Sequence, residues 1–440
     1  MRVFVALFLA FFTFAGNVYA VENPKNFPNN KFGIHIIDEN DLGLARDLVN
    51  SSGGDWGYAT LVIREDERVV TRWQEVFNQM RRMHIIPIVR IASVQTPNGW
   101  EKPQNQNIDA WASFLNSLNW IVKNRYVIIG NEPNQAHEWG GEISPIEYGN
   151  YLKEFSKKLK NVSVDFYILP AGFDAAAPNS KTTMMEERFL TQMIRAHPDI
   201  PDYIDGWSSH SYPDPEKTVD SQAGRGTLRT YIWELDLLKK LGIQKNLQVF
   251  ITETGWRHSG NTDSAKIAQN YKEALDQVWN DERIIAVTPF LLNYNTDPFL
   301  DFSWLNPSGA PYNFYYEVQK IPKTGGRPNQ ITDGVISGEF TFPIVQAGHG
   351  IYGLLIVENR GQSIWEGSEV GLDQGYIFAY EPIEPNGQRI LFFKIQAPDT
   401  PGLYTMTLQL SKKGEVFGNT RQIYSRVFKF LSPLQFLRLI

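Results

Sequence analysis

At 440 residues, with 42% hydrophobic and 20% charged side chains, the chain is long enough for two or three domains and can bury a sizeable core, which excludes wholesale disorder. A net charge of −6 brings no basic stripe and argues against an electrostatic grip on nucleic acid. The absence of cysteine excludes disulfides, thiol nucleophiles and Cys-ligated metals.

The first element is a leader. Arg2 supplies a positive start, Val3 to Phe14 is an apolar run broken only by Thr13, and Val18-Tyr19-Ala20 forms a small-residue cleavage site before Val21. A signal peptide over 1–20 is expected, and with it secretion or delivery to the cell envelope, without membrane insertion after cleavage. The run is short for a span, which needs about 20 apolar residues; a retained anchor is the alternative.

From residue 21 to 322, short β-rich runs alternate with amphipathic stretches. The strand candidates are Phe32–Ile36, Ala59–Arg64, Ile85–Ile91, Tyr126–Gly130, Tyr167–Ala171, Asp205–His210, Gln248–Thr252 and Ala286–Leu292. Helices are predicted between them, over Val69–Met83, from the capping box Ser144-Pro145-Ile146-Glu147, over Thr227–Leu241, over Ser264–Asn280 and over Pro311–Ile321. Val127-Ile128-Ile129 and Val249-Phe250-Ile251 read as strands buried on both faces. Eight β-then-α units favour a closed (β/α)8 TIM barrel in an α/β fold, and no Gly-rich fingerprint follows the first strand.

The period changes at a Gly/Pro-containing linker, 323–332. Beyond it, over 333–440, the runs Gly338–Pro343, Ile351–Glu358, Tyr376–Tyr380, Arg389–Ile395, Gly402–Leu410 and Ser425–Leu431 alternate with period 2 and suggest a small all-β sandwich.

Active sites of such barrels lie at the C-terminal ends of the strands. Strand four ends in Gly130-Asn131-Glu132-Pro133 and strand seven in Thr252-Glu253-Thr254-Gly255-Trp256. Each places a carboxylate directly after a buried strand, which is costly unless the group is paired or used. Two carboxyls facing across a sugar can cleave a glycosidic bond, one protonating the leaving oxygen while the other attacks or activates water.

These two motifs, in this order, resemble the large clan of retaining glycoside hydrolases with (β/α)8 barrels, over roughly residues 31–322. The resemblance implies Glu132 as acid/base, Glu253 as nucleophile, Asn131 on the sugar 2-hydroxyl, and His210 and Tyr212 near substrate and nucleophile. It also implies an arginine beside the nucleophile, for which both Arg64 and Arg90 are candidates; Arg90 lies in an apolar run and more clearly needs a buried partner. The chain departs from the clan on strand eight, which has no Trp in Pro289-Phe290-Leu291-Leu292; Trp304, Trp139 and Trp256 are candidate platforms in its place. The runs Val357–Trp365 and Ala397–Tyr404 resemble immunoglobulin-like domains, expected here as spacer or brace. The segments Val94–Gln106 and Ser211–Gly226 are expected to wall the cleft.

No metal or cofactor is expected, since the seven histidines are scattered and no His-Glu-x-x-His run occurs. No Gly-x-Ser-x-Gly elbow supports Ser-His-Asp catalysis. The expected partner is a carbohydrate, and the chain is expected to act as a monomer. The competing reading is a catalytically inactive, carbohydrate-binding barrel.

Overall fold

The computed structural model describes residues 21–429; the signal peptide expected over 1–20 and the last residues of the strand expected at Ser425–Leu431 lie outside them.

Eight parallel strands form the first unit: β1 (Gly33–Ile36), β2 (Gly57–Arg64), β3 (Ile85–Ala92), β4 (Arg125–Ile129), β5 (Phe166–Pro170), β6 (Gly206–His210), β7 (Gln248–Glu253) and β8 (Ile284–Val287). They pair in chain order as a five-stranded and a three-stranded ladder. Two seams close the ring. Phe32 bridges Val287 between β1 and β8, while Asp174 bridges His210 and the Asp205 amide donates to the Ile168 carbonyl (2.8 Å) between β5 and β6. The strands are buried along nearly their whole length, as strands covered on both faces require.

Helices α1 (Leu42–Val49), α2 (Val70–Arg82), α3 (Ile108–Ser117), α4 (Pro145–Val162), α5 (Glu186–Ala196), α6 (Thr230–Lys240), α7 (Ser264–Gln277) and α8 (Asn313–Gln319) follow the strands in turn. The α4 start behaves as the sequence implies: Ser144 Oγ accepts from the Glu147 amide at 3.4 Å, with Pro145 at the first helical position. Inside the barrel, the rings of Tyr58, Tyr126, Tyr167 and Phe250 pack with centroids 5.2–6.2 Å apart.

Strand eight is shorter than expected. Its ladder stops at Val287, because Pro289 has no N–H to continue it. The following backbone still donates from Phe290 to Thr254 (2.8 Å) and from Leu292 to His35 (2.9 Å), so the segment stays in the wall.

The second unit is two antiparallel-rich sheets. One has the order β9 (Gly334–Thr341), β11 (Gly350–Asn359), β14 (Gln388–Gln396), β13 (Tyr376–Ile377). The other has the order β10 (Ile344–Gln346), β16 (Glu415–Phe428), β15 (Gly402–Lys412), β12 (Val370–Leu372), with β10 parallel to β16. Trp365, Leu355, Phe393 and Leu408 fill the space between them. The last strand begins ten residues before its expected start, because Lys413 and Gly414 both take positive φ (53° and 86°) and turn β15 directly into β16. The outer face of the first sheet is apolar as well: Phe340, Leu354 and Phe392 sit side by side in register, and Phe392 is 65% exposed.

The segment between the units is bound to the barrel floor. Lys323 Nζ donates to the Val318 and Ile321 carbonyls (both 3.0 Å), Gly326 donates to Asp55, Arg327 to Pro28, and Asn329 holds the Glu22 carboxylate. Arg81, 1% exposed at the end of α2, donates to the Gln362 carbonyl (2.7 Å) and to Asn119. The sandwich therefore docks at the end of the barrel opposite the C-terminal strand ends.

Candidate active site

Beyond β4 the chain turns sharply. Gly130 takes φ +87°, a conformation open to glycine. Glu132 follows at φ +32°, in the left-handed region where a side chain is strained. Glu253 is the last residue of β7 and points into the same space.

One oxygen of Glu132, one of Glu253 and one ring nitrogen of His210 all lie within 4.8 Å of each other. His210 Nδ1 is 2.8 Å from Glu132 Oε1 and 3.8 Å from Glu253 Oε2. Tyr212 donates its hydroxyl to Glu253 Oε2 at 3.1 Å. Arg90 donates one N–H to Glu253 Oε1 and, at 2.8 Å, to Asn131 Oδ1. The cleft around them has a volume of about 1110 Å³, large for a single small ligand.

The two carboxyls are driven apart in acidity. Burial alone would raise Glu253, but the charges of His210 and Arg90 outweigh it and hold the carboxyl down to about 2. Glu132 is raised, first by desolvation and then by the charges of Glu253 and Asp174, against the opposing pull of His210. Burial disfavours the charged form of His210, yet the charge of Glu253 and the hydrogen bond to Glu132 raise it overall. The Glu132–His210 pair thus keeps a proton where a free carboxyl has lost it, while Glu253 is an anion. Opposed environments of this kind separate an acid from a nucleophile.

The structure gathers Glu132, Glu253, Asn131, His210, Tyr212 and Arg90 in one place. Arg64 lines the outer part of the same cleft but pairs with neither catalytic carboxylate. It pairs with Asp66 and Glu67 on the rim, because β2 aligns Val62 with Arg90 and Arg64 two positions further up, with Ala92. Trp256 lines the cleft wall. Two expected platforms must be corrected. Trp304 is 1% exposed and packed on Tyr271 and Phe314. Trp139 is 2% exposed behind the loop, against Tyr148 and Tyr151. Neither presents a ring to the cleft.

The segments expected to wall the cleft do line it: Gln95 and Trp100 come from a short hairpin after β3, and Tyr212 to Pro215 and Gly226 from the loop after β6. Phe290, which follows β8, and Asp174, which follows β5, escaped the sequence reading. His35, at the end of β1, is wholly buried with both ring nitrogens unpartnered and Nε2 4.0 Å from Glu253. Burial and the Arg90 charge push it down to about 3, so it is neutral. A polar residue at the C-terminal end of a buried strand was the available signal for His35, the same signal that marks Glu132 and Glu253.

Among the described residues, Glu132, His210 and Glu253 also form the one His/carboxylate group compact enough to hold a metal ion. All three are already engaged, Glu132 and His210 by one another and Glu253 by Arg90.

A closed ring of eight parallel strands with polar side chains gathered at their C-terminal ends defines a (β/α)8 barrel. No family model and no curated protein matches the chain. Among solved structures it is similar to a monomeric β-xylosidase from Caulobacter crescentus CB15, with a TM-score of 0.50 at 13% identity over 75% of this chain and 74% of that one. A glucosidase from Croceicoccus marinus aligns over 91% of this chain and 92% of its own, with a TM-score of 0.48 at 9% identity. At 13% identity the likeness to the β-xylosidase is one of fold.

Proposed function

We propose that the protein is a retaining glycoside hydrolase acting on an oligo- or polysaccharide. The observation that carries this reading is the approach of the Glu132 and Glu253 carboxyls to within 4.8 Å. Retaining enzymes hold the two groups about 5–5.5 Å apart, whereas inverting ones need about 6.5–9.5 Å to admit a water. The likeness in fold to glycosidases supports the same class.

In the first step Glu253 attacks the anomeric carbon. The glycosidic C–O bond breaks, and Glu132 gives its proton to the departing oxygen. In the second, Glu132 takes a proton from water, the hydroxide displaces Glu253, and the sugar leaves with its original anomeric configuration. Arg90 and Tyr212 hold Glu253 ionised and aimed; Asn131, fixed by Arg90, is placed for the 2-hydroxyl of the sugar. The lower Glu253 charge in the covalent intermediate relaxes the pKa of Glu132, which suits its change from acid to base.

The test is a glycan panel scored for new reducing ends, followed by NMR of the first product anomer. Retention, with turnover nearly abolished in both Glu132→Gln and Glu253→Gln, is the expected result. Full activity in either variant rejects the assignment, and binding without cleavage favours the inactive carbohydrate-binding barrel. Export is part of the proposal; a mature protein beginning at Val21 is its expected sign.

A further inference from the structure

Glu132 carries a left-handed backbone conformation, φ +32°, which strains any residue with a side chain. Something must hold it, and two of the holding residues, Asn134 and Gly172, lie behind the cleft lining. The Glu132 amide donates to the Gly172 carbonyl (3.0 Å), and its own carbonyl accepts from the Gln135 amide (2.8 Å). Two residues on, the Asn134 side chain is completely buried and fully used. Its Oδ1 accepts from the Asp174 amide (3.2 Å), and its Nδ2 donates to the carbonyls of Asp174 (2.9 Å) and Met184 (3.0 Å). The loop after β4 is thereby fastened to the segment after β5.

That same segment sets the other end of the acid. A Cβ on Gly172 would lie 2.2 Å from His210 Cδ2 and 2.4 Å from Nε2. Only a glycine leaves room for the imidazole this close to the backbone, and this is the ring whose Nδ1 bonds Glu132 Oε1. The backbone of Glu132 and its carboxyl are both registered against residues 172–174.

We propose that Asn134 and Gly172 are positioning residues for the acid/base. They act through Glu132 and His210 and do not line the cleft. The inference rests on the proposed role of Glu132 as proton donor. It predicts a selective defect: bond cleavage suffers only where the leaving group needs a proton.

The experiment uses two aryl glycosides of the sugar that the panel identifies, one with a dinitrophenyl and one with a phenyl leaving group. Asn134→Ala and Gly172→Ala are compared with wild type after folding is checked by circular dichroism. The expected kcat/KM on the phenyl glycoside falls about a hundredfold to a thousandfold, the range of general acid catalysis, while that on the dinitrophenyl glycoside changes less than about threefold. Azide, which needs no general base, should restore kcat on the activated substrate. Equal losses on both substrates, or no loss on either, overturn the proposal. If Asn134→Ala does not fold, Gly172→Ala decides alone. A wild type that cleaves neither glycoside, or a Glu132→Gln variant with wild-type dependence on leaving group, instead removes the hydrolase reading itself.

Discussion

Glu186 on α5 and Glu234 on α6 are both fully buried behind β6, outside the cleft. Trp207 Nε1 donates to Glu234 Oε2 at 3.0 Å; among the described residues no hydrogen bond of ordinary geometry reaches the other Glu234 oxygen or either Glu186 oxygen, and the two carboxyls adjoin one another. Desolvation pushes Glu234 up from 4.5 to about 7, and Glu186 is raised further by burial and the Glu234 charge. The fold therefore prefers these acids protonated. Their stabilising effect is complete below the unfolded value near 4.5 and is lost as pH rises through the folded value near 7. For Glu234 alone the loss is roughly 3 kcal/mol, at about 1.4 kcal/mol for each tenfold change in proton affinity. Glu234→Gln keeps an acceptor for Trp207 and can donate to Glu186, without a titrating proton. Denaturant unfolding of both proteins at pH 5 and pH 9 should give similar stabilities at the lower pH and a variant more stable by roughly 3 kcal/mol at the higher. A stability difference that is the same at both pH values refutes the reasoning.

Four further outcomes are expected. Because Glu253 is held near 2 and Glu132 is raised, kcat/KM should stay level as pH falls through the ordinary carboxylate range and decline on the alkaline side as the Glu132 proton is lost; an acid limb near 4.5 in the pH–rate profile contradicts this. Arg90→Met breaks a buried ion pair on one side, which costs about 3–5 kcal/mol, so Tm should fall and the acid limb should move upward. Arg81→Met strands the Gln362 and Asn119 carbonyls at the junction of the two units, a loss of about 3 kcal/mol; limited proteolysis should then cut within 323–332. Ser144→Ala removes the cap of α4 and should lower stability by about 1 kcal/mol in the same unfolding assay.

The barrel was legible because short β-rich runs alternate with amphipathic stretches, and its chemistry was legible because a glutamate directly after an apolar run such as Val127-Ile128-Ile129 or Val249-Phe250-Ile251 has no cheap structural explanation. What sequence left open was height and direction. Arg64 and Arg90 look equivalent as letters, but the register of β2 on β3 sets Arg64 two residues beyond the level of Arg90, about 7 Å along the strand. The tryptophans failed for a related reason: Trp304 and Trp139 lie in loops, where no periodicity says which way a ring faces. The hairpin at Lys413-Gly414 was hidden because its first left-handed residue is a lysine, not the asparagine or aspartate that usually announces such a turn. Asn134 and Gly172 were invisible for a deeper reason, since their roles exist only once two distant loops are side by side.

The anchored strap between the units leaves the molecule without a hinge. With 323–331 stitched to the barrel floor and Arg81 clasping the sandwich from below, torque on the small unit passes straight into the large one. The catalytic mouth and the sandwich then keep a fixed spacing, and solution scattering should register a single particle whose dimensions do not change with salt.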